Sequence, residues 1–328
     1  MASYNPVLDS VKPVAKRSAF VSIDLEKLKE VARKYAGEEL IVPDWKAPVF
    51  PSNNNRDTIA FFLLGNSINF AYSDFKTGVK YETEYQGMPW KGAFGMWAAL
   101  KRGIDGGVPL LDGKYLAGIS EAQMKSLFEG NIVIPMLPER LEIFREVGRV
   151  LNAHYGSHFA GVVEKSGNRL FDGGKGTVER LVYHFPSFGD RWQYGNLLAI
   201  FNKRAQLAAG MVQGRFLGDG IELFPRSEVD MLTVFADYEL PKILNAMGIL
   251  RYTNTLSNAI NEGKMIERGS FVEIEIRANT IVAAQLLQDE INSVRDEKVN
   301  ALNIDFKLWS EGKNFKDAKH HLTETTAY

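Results

Sequence analysis

The chain of 328 residues contains no cysteine. That absence excludes a disulfide framework, a thiolate zinc site, an iron–sulfur cluster and a cysteine nucleophile. A surplus of either charge is also missing: 39 Lys and Arg stand against 40 Asp and Glu, a formal net charge of −1. General binding of a nucleic-acid backbone needs a basic excess to displace counterions, so only a local patch could serve it here. No apolar run approaches the roughly 20 residues of a membrane span. The opening Met1-Ala2-Ser3-Tyr4-Asn5-Pro6 has neither the basic start nor the apolar stretch of a signal peptide, and a soluble, cytoplasmic protein is expected. Repeats of roughly 20–50 residues are absent, which argues against solenoids and propellers. The sequence has no Gly-x-x-x-x-Gly-Lys-Ser/Thr, no strand running into Gly-x-Gly-x-x-Gly, and no Gly-x-Ser-x-Gly.

What is present is the composition of a globular protein with a sizeable core, 45% hydrophobic and 24% charged. The length suits one large domain or two modest ones. Leu25, Leu28, Val31, Ala32 and Tyr35 fall on one face, which predicts a helix over 24–36 capped by Ser22 or Asp24. Segment 43–57, rich in Pro and Asn, reads as an irregular loop leading to the apolar run 59–64. Period-two alternation over 67–72 and 79–85 predicts a hairpin around Lys76-Thr77-Gly78. Helices are expected over 92–103, after the capping box Ser120-Glu121-Ala122-Gln123, and from Pro138 onward. Glycines cluster at 161–176, and helical periodicity then dominates 194–262 and 271–311. The expected fold is mainly α with a small β element. An N-terminal helical region, 1–160, would hold the hairpin and a C-terminal helical region, 161–328, the acids described next, unless the two form one continuous domain.

Few residues offer chemistry. His154 and His158 are four apart, as zinc ligands on one helix face are, but Gly156 separates them and no Glu follows the first. They read as a polar helix end, and His320-His321 as part of a solvated tail. No buried strand leads into Gly173-Gly174-Lys175-Gly176, so this is not a phosphate loop. Among the acids, two sit in apolar sequence: Asp237 in Thr233-Val234-Phe235-Ala236-Asp237-Tyr238, and Asp305 in Leu302-Asn303-Ile304-Asp305-Phe306. Such an acid is either paired and structural or poised for acid–base or electrostatic work. For Asp237 the structural alternative is a helix cap, because Pro241 suits an early helical turn.

These residues lie in segments that resemble a known family. Asn66-Ser67-Ile68-Asn69-Phe70, Gly95-Met96-Trp97-Ala98-Ala99, Phe201-Asn202-Lys203-Arg204-Ala205-Gln206, Phe235-Ala236-Asp237-Tyr238-Glu239-Leu240-Pro241, Gly269-Ser270-Phe271-Val272-Glu273 and Ile304-Asp305-Phe306-Lys307-Leu308-Trp309 occur in the order of similar segments in the queuosine salvage family, the queuosine 5′-phosphate N-glycosylases/hydrolases. The resemblance implies a helical fold similar to the helix-hairpin-helix DNA glycosylases. It implies cleavage of the N-glycosidic bond of queuosine 5′-monophosphate to queuine and ribose 5-phosphate, with no metal or organic cofactor. The implied partner is that small nucleotide, with no stable nucleic-acid partner. The chain departs from the family in three places: loop 43–57 has no histidine, Glu239 stands where the family has arginine, and the glycine-rich stretch at 161–176 is unfamiliar.

Nucleoside cleavage builds positive charge on the ribose, as in glycosidases. One carboxylate can stabilise that charge and activate water while a second orients the sugar or the departing base. Asp237 and Asp305 are the candidates for these roles, with Asp237 expected nearer the anomeric carbon unless the order is reversed. Asn69 comes from the matching Asn-Phe segment. Phe235 and Trp309 either stack on the flat base or fill core. Lys203 and Arg204 are candidates for the 5′-phosphate, although at most one is expected to face inward, and an inward arginine could instead pair with Glu273 or Glu275. Glu273 and Arg277 have the i,i+4 spacing of a structural pair. Trp45 or Phe50 is expected to close the pocket in place of the missing histidine, at little cost in stability when replaced, unless the loop is a mere connector. Two rival functions stay open: a nucleic-acid base glycosylase of the same fold, and a non-catalytic binder of queuine or a modified nucleoside.

Overall fold

Helices carry most of the chain in a computed structural model that describes residues 4–328, so residues 1–3 of the opening segment lie outside it. Among the described residues no helix is long and apolar enough to cross a membrane. Helix Arg56–Ser67 absorbs the apolar run 59–64 and is buried on every side from Thr58 to Ser67, as befits a helix without a polar stripe. At Gly65 a Cβ would fall inside the Trp97 indole, so only glycine lets that ring lie on the helix backbone. The helix packs on Lys203–Leu217, which is itself almost wholly buried. A 24-residue helix, Phe271–Val294, starts at Ser270, whose hydroxyl accepts from the Glu273 N–H, and packs against Val7–Arg17 and Leu25–Ala36. The Asp24 carboxylate caps Leu25–Ala36 by accepting from the Lys27 N–H at 2.9 Å, and Ser120 with Gln123 forms the expected capping box.

Among the described residues strands form three antiparallel ribbons, and here the sequence misleads. The hairpin expected around Lys76-Thr77-Gly78 shrinks to a single bridge between Ser73 and Lys80, because Ser67 belongs to the preceding helix. The Asp74 carboxylate accepts from the Lys76 and Thr77 N–H groups and shapes that turn. The ribbon lies further on, Glu82–Tyr85 with Met88–Lys91, joined by Gln86 and Gly87, both at positive φ. That tight turn matches strand twist, but Gln-Gly is a weak signal for it. A second ribbon, Arg191–Tyr194 with Leu197–Ile200, occupies part of the stretch expected to be helical and turns at Gly195, φ 57°. The third joins Val21–Ile23 to Leu250–Tyr252, a pairing that no local pattern announces.

Candidate active site

Helix Ala301–Glu311 presents Leu302, Asp305, Phe306 and Trp309 at i, i+3, i+4 and i+7, and all four line one pocket. Opposite stand Lys203, at the first turn of Lys203–Leu217, and the segment entering helix Glu239–Ala246, which supplies Phe235 and Asp237. Loop 43–57 closes one side with Trp45 and Phe50, and Asn69 closes another. The pocket thus draws on both the 1–160 and the 161–328 stretches.

Its polar end holds Asp237, Asp305 and Lys203, with Glu239, paired to Lys242, beside them. One oxygen of Asp237 accepts from the Glu239 N–H at 2.8 Å, at the start of the helix, and the other lies 3.5 Å from Lys203 Nζ. Asp237 thus braces the helix start, where Tyr238 rather than Asp237 is the N-cap residue, and it also lines the pocket. Asp305 Oδ1 accepts from the Phe235 N–H at 2.7 Å, tying the two segments together. Burial pushes the Asp305 carboxyl up to about 8, against the pull of that N–H, and the charge of Asp237 adds to the rise. Lys203, 4% exposed, is pushed below the ordinary lysine value by burial, with Asp237 and Asp305 opposing the fall. Asp305 holding its proton at neutral pH and Asp237 facing an ammonium are suited to separate acid and base roles.

The apolar end is aromatic. Trp309 lies 6.0 Å from Phe306 at 20°, stacked, and 6.3 Å from Phe94. Trp45 meets Phe306 and Phe50 edge-on at 6.4 and 5.7 Å. Phe235 packs over Gly210, where a Cβ would come within 2.9 Å of its ring. Core filling and pocket lining are thus both true of Phe235, while Trp309 is 41% exposed at the mouth. The Asn69 amide donates to Asn66 Oδ1 at 2.9 Å and accepts from the Tyr72 hydroxyl at 2.5 Å.

Several expectations need correction. Lys203 and Arg204 are both buried, and Arg204 does not line the pocket. Its guanidinium donates to the Ser67 and Ser187 carbonyls and lies between the rings of Phe70 and Phe188, at 5.3 and 5.4 Å. Neither Glu273 nor Glu275 is its partner. Glu275 accepts from the Phe20 N–H and the Tyr194 hydroxyl, and Glu273 pairs with Arg277 at 3.4 Å, as its spacing suggests. His154 ends its helix and His158 lies beyond it, 3.2 Å from Asp57. Among the described residues no group of three His, Asp or Glu is placed to hold a metal ion. His321 is buried rather than solvated, and His320 lies 4.7 Å from the Tyr238 ring. Phe50 is 4% exposed among Phe62, Phe94 and Trp97, so it is core as well as pocket. Phe50→Ala should then lower stability by about 3–5 kcal/mol, read as a shifted denaturant midpoint; an unmoved midpoint would contradict this packing.

Sequence reasoning missed Tyr72, Phe94, Trp97, Tyr238, Phe306 and Tyr328 as lining residues. Phe306 was findable from the helical stripe it shares with Asp305 and Trp309. Tyr328 carries no local signal.

The family description "Queuosine salvage protein" matches residues 49–328. The chain belongs to the queuosine salvage protein family. A relative from Sphaerobacter thermophilus is 31% identical over 324 residues, covering 98% of this chain and 97% of its own length. One from Mus musculus is 27% identical, with 94% and 93% covered, and one from Schizosaccharomyces pombe is 28% identical, with 81% and 78% covered. All three bear the name queuosine 5′-phosphate N-glycosylase/hydrolase. For this member of the salvage family, the acids, the lysine and every aromatic residue of the pocket except Trp45 lie within the matched residues.

Proposed function

We propose that this chain hydrolyses the N-glycosidic bond of queuosine 5′-phosphate, releasing queuine and ribose 5-phosphate. The observation that carries the reading is the pair Asp237 and Asp305, with Lys203, at the polar end of an aromatic pocket in a salvage-family chain. The Asp237 carboxylate lies beneath the anomeric carbon, where it opposes the positive charge that develops on the ribose. The bond electrons leave with the base, water adds to the anomeric carbon, and Asp237 takes the water proton. A 7-deazaguanine lacks the ring nitrogen whose protonation eases departure of ordinary purines, so a donor at the departing nitrogen matters more. Asp305 supplies that proton; what supports this role is its carboxyl, which burial pushes up to about 8. Lys203 faces Asp237 at 3.5 Å rather than reaching for phosphate. We extend the proposal to a helix-hairpin-helix glycosylase-like fold; what supports this is the mainly helical build with the pocket set between helices.

Chromatographic release of queuine from queuosine 5′-phosphate by the purified protein tests the reading. Tight binding of the nucleotide with no free base formed would favour a carrier instead. In the same assay Trp309→Ala should raise KM roughly 10-fold or more, because stacking of a base on an aromatic ring is worth about 1–3 kcal/mol. Its exposure means the melting temperature should barely move. An unchanged KM would remove Trp309 from the base site.

A further inference from the structure

Segment 316–328 folds back onto the body of the protein, where Ala327 and Tyr328 are buried. The Ile266 N–H donates to the Leu322 carbonyl at 2.7 Å, and Lys319 Nζ donates to the Asn261 carbonyl at 2.7 Å. Past these ties Tyr328 is 3% exposed and forms part of the pocket wall. Its hydroxyl meets His321 Nε2 at 3.0 Å. Burial, with help from the charges of His320 and Arg277, pushes His321 down to about 3, so this partner stays a neutral imidazole.

The Tyr328 ring lies 4.6 Å from the Arg277 guanidinium, which also lies 3.9 Å from the Phe201 ring. Arg277 is fully buried, paired with Asp190 at 2.9 and 2.5 Å, and its Nε donates to the Ala236 carbonyl at 3.2 Å. Ala236 immediately precedes Asp237. On the other flank, the residue after Asp237 is Tyr238, whose ring meets His320 of the same segment. One stretch of chain, remote in sequence, thus reaches both neighbours of the acid, directly on one side and through Arg277 on the other.

We propose that Tyr328 is a positioning residue for Asp237: its ring holds Arg277 against the Ala236 carbonyl while His320 braces Tyr238, and together they fix the carboxylate under the reacting carbon. The inference rests on the nucleotide-hydrolysis reading above. An aromatic face on a desolvated guanidinium is attractive and directional. Small displacements of a group aligned with a reacting centre are costly in rate.

The test compares wild type, Tyr328→Phe, Tyr328→Leu and His320→Ala for kcat, KM and melting temperature with queuosine 5′-phosphate. Phe keeps the ring on Arg277, and kcat should stay within about 3-fold of wild type. Leu keeps most of the buried volume but loses the aromatic face; kcat should fall about 10-fold or more while KM changes less. A wall residue without a positioning role would raise KM and leave kcat unchanged, which overturns the inference. So does a Leu variant as fast as Phe, or a Phe variant as slow as Leu. If Leu does not fold, His320→Ala decides: it removes the second brace with Tyr328 intact, and kcat should fall roughly 3- to 10-fold, an unchanged kcat overturning the inference. Wild type that releases no base overturns the hydrolysis reading itself. Active wild type with an unimpaired Leu variant overturns only the role of Tyr328.

Discussion

Asp237→Asn should lower kcat for queuine release by about 10²–10³-fold while the protein stays folded. The amide is nearly isosteric, and its oxygen can still accept from the Glu239 N–H, so the helix start keeps its brace. What disappears is the negative charge facing Lys203 and the reacting ribose. Loss of charge should therefore appear in turnover, with KM nearly constant, because the charge matters most where the cation develops. Removing the charge also leaves the Lys203 ammonium less compensated in a buried setting, so a modest loss of melting temperature should accompany the loss of rate. Steady-state kinetics alongside thermal unfolding separate the two effects. An Asn variant within a few-fold of wild type in kcat would end the assignment of Asp237 and move the cation-stabilising role to Asp305.

The acids themselves were legible because an ionisable residue between aliphatic and aromatic neighbours has few ways to be satisfied. The Ala301–Glu311 helix was legible as well, and its stripe brings Asp305, Phe306 and Trp309 to one side. Local caps at Asp24 and Ser120 could be read because their donors lie three residues away. Arg204 could not be read correctly. Its partners, the carbonyls of Ser67 and Ser187, are brought to it by the packing of separate elements, and backbone carbonyls leave no mark in a sequence. The ribbon between Val21–Ile23 and Leu250–Tyr252 failed for the same reason, since each strand is three residues long and its partner is far along the chain. Period two over 67–72 was misleading: residues buried on every side of a helix end and the turn after it can alternate by chance. Trp45 and Phe50 both line the pocket. The expectation that both are cheap to replace did not hold for Phe50, whose ring is shared with the core.

Asp305→Asn should change both the pH profile of turnover and the pH dependence of stability, in directions fixed by its raised pKa. Folded Asp305 keeps its proton up to about pH 8, whereas in the unfolded chain it loses the proton near the ordinary value of 3.8. Folding therefore takes up a proton between these limits. The contribution of this group is fully present below about pH 4 and is lost as pH rises toward 8. Asn cannot titrate and can still accept from the Phe235 N–H. The melting temperature of the variant minus that of wild type should thus become more positive from pH 5 to pH 8.5. Lys203 titrates in both proteins and largely cancels in that difference. Turnover should respond in the opposite sense. Wild-type kcat should fall above about pH 8 as the proton donor is lost, and the variant should be slower by about 10²-fold at neutral pH, without that alkaline limb. Two measurements check this, unfolding curves across pH and kcat across pH. Parallel stability curves would show that Asp305 is ionised in the folded protein at neutral pH, and an unchanged alkaline limb in the variant would assign the proton donor to another group.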